Sequence, residues 1–208
     1  MLLRLAIVVG DDSSFEELAG FGGMAVIRFC EYLDGQFHLD LPGGWDRAFA
    51  NNTASLSRRL AESFPGEYLS SFNSSRWITS SFVLSGLGCT GRDEVKPVLI
   101  EALFSSAPET TRLHAAIALG CFPGADSVSA LIRALDDDEY LVKYHSVESL
   151  GRIGDKLALD RLLAIAGNPP SRGIAVVAPR AAATLAWRLG VVIEAPKPDL
   201  SQWDSPER

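Results

Sequence analysis

Along the second half of the chain, apolar residues recur in a fixed order: apolar helix, Leu-Gly pair, short turn, second apolar helix. Leu113, Ala116, Ile117 and Gly120 fall at the three-and-four spacing of one helix face, and Ala115 and Ala118 keep that face small. Pro123-Gly124 supplies a turn, and Val128, Leu131, Ile132 and Leu135 form the stripe of the second helix. The scheme then restarts. Leu141, Val142, Val147 and Leu150 predict a helix from about Glu139 to Leu150. A turn is expected over Gly151-Arg152-Ile153-Gly154-Asp155, followed by a stripe of Leu159, Leu162, Leu163 and Ala166. Upstream, Trp77–Leu87 and Val95–Leu103 predict a matching pair, with Val95, Val98, Leu99, Ala102 and Leu103 inward.

The pairs Leu87-Gly88, Leu119-Gly120, Leu150-Gly151 and Leu189-Gly190 stand 32, 31 and 39 residues apart. A period in this range marks a helical-repeat architecture, in which each two-helix unit buries its apolar face by stacking on its neighbours. Each glycine is expected to end its helix, because glycine tolerates the left-handed backbone of a helix terminus. Asn168–Gly173 reads as a loop insertion that lengthens the last interval, and a helix over Ala175–Leu189 is expected to cap the stack.

The N-terminal third is less regular. Leu2–Val9 has strand-like content, and Ser14-Phe15-Glu16-Glu17 has the form of a capping box opening a short helix. Asp34-Gly35 is a hairpin signal, but Arg28, Glu31 and Asp34 fall at steps of three, which favours a helix over Met24–Asp34 ended by Gly35. Gln36–Leu41 alternates as an extended segment does. Two further helices are expected, Trp45–Ala50 and Ala54–Phe64, the second with Leu56, Leu60 and Phe64 inward. The reading is therefore an all-α chain, an α-solenoid with a mostly helical cap over 1–74, repeats over 75–194 and a flexible tail over 195–208.

These repeats resemble the HEAT-like family first associated with phycobilisome lyases, whose pattern is Val-Arg-x-x-Ala-Ala-x-Ala-Leu-Gly-x-Ile-Gly-Asp. Arg112-Leu113-His114-Ala115-Ala116-Ile117-Ala118-Leu119-Gly120 follows it closely, and Lys143–Gly151 with Ile153-Gly154-Asp155 follows it in outline. The resemblance covers about residues 75–190. It implies a ladder of ion pairs between Arg112 or Lys143 and Asp126 or Asp155. It also implies a role among scaffolds, lyase subunits and binding modules, since one fold serves many functions.

Composition narrows the partner. A net charge of −7 and a pI near 5.0 oppose a nucleic-acid ligand, whose affinity comes largely from Lys and Arg neutralising phosphates. Arg152, Lys156, Arg161, Arg172 and Arg180 could form a late basic patch, as in HEAT-like DNA glycosylases, but Asp155 and Asp160 interleave with them. The N-terminal apolar stretch has one basic residue and no evident cleavage site, and no segment approaches the ~18 apolar residues of a membrane span. Cys30, Cys89 and Cys121 stand at no metal-binding spacing, consistent with reduced thiols and a cytoplasmic location.

Candidate chemistry is sparse. His114 and His145 share one place in consecutive repeats, which stacking would bring roughly 10 Å apart; His38 lies far off in sequence. Cys89 and Cys121 each follow a terminating glycine, where the helix dipole disfavours a thiolate. The run Asp136–Glu139 lacks the glycine turn of a calcium loop and suits a helix start. No cofactor, metal site or catalytic residue is expected. Trp77 and Trp187 read as core or end-cap residues. Tyr140 and Tyr144 lie one turn apart beside His145, and with His114, Arg133, Lys96 and Asp160 they form the expected partner-binding set. The second helices are expected to expose Lys96, Ser129, Arg133 and Asp160. The function read from all this is non-enzymatic: a protein-interaction or scaffold module that uses the curved repeat surface to hold another protein, with a basic one favoured by the acidic charge. An enzyme, or a lyase or biosynthetic accessory subunit, with a pocket on the concave face is the first alternative and a DNA-binding HEAT-like protein the second.

Overall fold

The computed structural model describes residues 12–36, 47–70, 83–194, 197 and 200. Within them every regular element is helical and none is a strand, so the described residues are all-α, with HEAT-like helix pairs in the C-terminal half. It forms two compact units, 1–118 and 119–208. The expected strand at Leu2–Val9, the extended segment after Gln36, and His38, Trp77 and the tail over 195–208 lie outside the described residues, apart from positions 197 and 200.

The first unit holds α1 (Asp12–Ala19), α2 (Met24–Gln36), α3 (Arg47–Ser63) and α4 (Pro65–Ser70). A helical stretch over 83–87 follows, then a 3₁₀ turn (Asp93–Val95) running into α5 (Lys96–Leu103), and α6 (Glu109–Leu119). α1 starts two residues before the expected cap, and Ser14 is buried inside its first turn instead of standing at its head. α2 resolves the choice between hairpin and helix, and Arg28 meets Glu31 at 2.7 Å along its polar stripe.

The two helices expected over 45–64 are one. Asn51-Asn52-Thr53 does not break α3, because Thr53, Ser57, Leu60 and Ala61 share a single fully buried face. Burial of that face outweighs the weak helix propensity of Asn and Thr. Phe64 falls just past the helix end and is only half-buried. Pro65 then opens α4, a place where its missing N–H costs nothing. Tyr68 of α4 is fully buried, its hydroxyl bonded to that of Ser57. A Cβ on Gly86 would come within 2.6 Å of the Tyr68 Oη, so the bare glycine makes room for the ring.

The second unit holds α7 (Ala125–Ala134), α8 (Tyr140–Ile153), α9 (Lys156–Gly167) and α10 (Arg172–Leu189). α8 and α9 both pack on α10, and α7 packs on α8. Leu131, Val142, Val147, Leu150, Leu162, Ile174, Ala178 and Leu185 form the core between them. Leu141 was expected inward but is 39% exposed, since it lies a hundred degrees around α8 from Val142. Asp155 caps α9, its Oδ1 accepting from the Ala158 N–H at 2.9 Å, so it is not the partner of Lys143 that the family pattern implied. Ser171 caps α10 in the same way through the Ile174 N–H, so the helix opens at Arg172, three residues before the expected start.

Gly88 and Gly120 directly follow the last residue of their helices, as expected, but the repeated glycines do more than stop helices. Neither Gly120 nor Gly151 is left-handed, and α8 runs through Gly151 to Ile153. A Cβ on Gly151 would stand 3.0 Å from both Cα and Cβ of Ala181. A Cβ on Gly120 would stand 2.8 Å from Ser149 Cβ, and one on Gly88 3.0 Å from Ala118 Cα. Each glycine thus admits the close approach of a helix about thirty residues onward. The receiving positions, Ala118, Ser149 and Ala181, are buried and lie 31 and 32 residues apart. The period is therefore kept into α10 with no insertion. Leu189-Gly190 is not a repeat mark but the end of an overhang, where Gly190 does adopt the left-handed conformation with φ 68°.

Candidate partner-binding surface

α8 places three rings at its N-terminal end. Tyr140 and Tyr144, one turn apart, have ring centroids 5.9 Å apart at a tilt of 50°. His145 meets Tyr144 edge-on at 5.3 Å and 83°. Tyr140 is 41% exposed, and the other two are half-buried. The Tyr140 hydroxyl fills the space that a side chain at Gly173 would need, which seats the ring against the first turn of α10. Partial burial, helped by Tyr144 alongside, raises the Tyr140 pKa, so its hydroxyl stays a neutral hydrogen-bonding group at physiological pH.

A charged network continues along the same helix. One Glu148 carboxylate oxygen lies 3.3 Å from His145 Nδ1, and the other accepts from Arg180 Nη2 of α10 at 3.1 Å. Arg152 donates to Ser149 Oγ at 3.0 Å. Glu148, Gly151, Arg152, Val177, Arg180, Ala181 and Thr184 line a cleft of about 210 Å³ between α8 and α10. Glu148 was not singled out from sequence, although its place three residues after His145 is the spacing at which helical side chains meet. The supposed basic patch is partly neutralised, with Arg180 on Glu148 and Arg161 on Asp136 at 3.4 Å. The acidic run ahead of α8 organises its own turn, Asp137 Oδ1 accepting from the Glu139 N–H at 2.9 Å.

The remaining expected residues divide. Arg133, Ser129 and Asp160 are exposed on α7 and α9. Lys96 is not presented as expected: its side chain is only 17% exposed and its Nζ lies 3.0 Å from Asp93, one turn back. His114 belongs to the first unit, where its Nδ1 donates to the Thr110 carbonyl at 2.6 Å. Each of the two histidines thus has a partner on its own helix. Among the described residues no group of three or more His, Cys, Asp or Glu side chains could hold a metal ion. Cys89 and Cys30 are half-buried and Cys121 exposed, all three unbridged, with the Cys89 thiol 3.8 Å from the Ser85 carbonyl. Trp187 is not a core or capping residue; it is 85% exposed, because α10 runs on beyond the helices that pack on it. No helix among the described residues is long and apolar enough to cross a membrane.

No curated protein matches the chain. Residues 96–186, from α5 into α10, match the family of HEAT repeats, and the stretch that carries the close-approach glycines Gly120 and Gly151 and the Tyr140–Tyr144–His145 ledge is thus similar to that family.

Proposed function

We propose that this protein is a non-enzymatic interaction or scaffold module that presents the outer surface of its HEAT-like helices to another protein. The observation that carries the reading is the aromatic ledge of Tyr140, Tyr144 and His145, which offers rigid ring surface at the head of α8. Tyr side chains dominate binding energy at protein interfaces because they bury large area at small entropic cost. Arg133 and Asp160 stand exposed in the same unit as flanking polar contacts. The net charge of −7 favours a basic partner, and a cytoplasmic setting accords with three unbridged thiols. The finer likeness to the phycobilisome-lyase group rests on the Arg112–Gly120 motif. It belongs to the same proposal.

The test is co-purification from cell extract with the wild type, Tyr144→Ala and Arg133→Ala, alongside thermal melts. A specific protein should be retained by the wild type and lost by about tenfold or more in the Tyr144→Ala variant, equivalent to about 1.4 kcal/mol. The melting temperatures should stay together. A partner that binds both variants as well as the wild type, or binds none of the three, overturns the reading.

A further inference from the structure

No further inference is drawn: the strongest candidate, the exposed apolar patch of Phe21, Met24 and Ile27 on the α1–turn–α2 segment of the first unit, carries nothing, because nothing in the structure shows what covers it.

Discussion

The Tyr68 hydroxyl sits where water does not reach it, bonded to Ser57 and overlain by Gly86. Burial pushes its pKa well above the ordinary tyrosine value; the Ser57 hydrogen bond opposes this, and Cys30 and Cys89 nearby add to it. In the unfolded chain the same phenol titrates near about pH 10. A group whose folded pKa is raised contributes stability that is complete below the unfolded pKa and is lost as pH climbs above it. Tyr68→Phe should therefore cost about 1 kcal/mol at pH 7, the net worth of one hydrogen bond. Its deficit relative to wild type should shrink as pH passes about 10, where only the wild type has a buried phenol to ionise. Urea midpoints for both proteins measured at neutral and alkaline pH check this, and a deficit that stays constant would refute it. Tyr68 was not legible in the sequence because it stands between Pro-Gly and a serine-rich stretch, with no apolar period around it. Tyr140 and Tyr144 were legible as neighbours, because helical spacing alone brings them together. Lys96 and Trp187 show the converse: spacing gives the face of a helix but not where its neighbours stop.

At the scale of elements, the glycines separate close approach from conformational freedom. Alanine in place of a mid-helix glycine ordinarily adds about 0.5–1 kcal/mol of stability. Gly167, in the last turn of α9, has nothing within 4 Å of a Cβ and no left-handed backbone, so Gly167→Ala should show that gain. Gly151→Ala should do the opposite, since its methyl meets the Ala181 backbone at 3.0 Å, with a loss of about 1–3 kcal/mol from overpacking. Chemical denaturation of the two variants decides, and equal effects would remove close approach as the reason for the Leu-Gly mark. The period, the helix pairs and most of the core of residues 95–186 could be read from sequence. The register of α10 could not: Leu189-Gly190 copies the motif in letters, while Ala182-Ala183 occupies its place in space. The fusion of α3 was hidden for a related reason, since Thr53 and Ser57 count as polar in a sequence pattern yet line a buried face.

Over the whole molecule, the charge of −7 is unevenly laid out, with α10 carrying three arginines against the general sign. A basic partner docking near α8 should associate quickly at low salt, and its on-rate should fall about tenfold or more as salt is raised toward 0.5 M. Stopped-flow mixing with the partner identified by co-purification measures this, and a salt-independent on-rate would argue against charge as a selector. Dissociation should change much less, because the rings of the ledge are held by contact and not by long-range attraction.

Between Gly151 and Ala181 there is space for a single methyl group, and that group already belongs to α10. The two positions could exchange residues, with alanine on α8 and glycine on α10, and still fit. They cannot both grow. The distance of closest approach between these helices is thus fixed by one carbon atom, so a chain that drifts in sequence can shift that carbon from one side to the other but must keep the sum, or lever the two helices apart along their whole length.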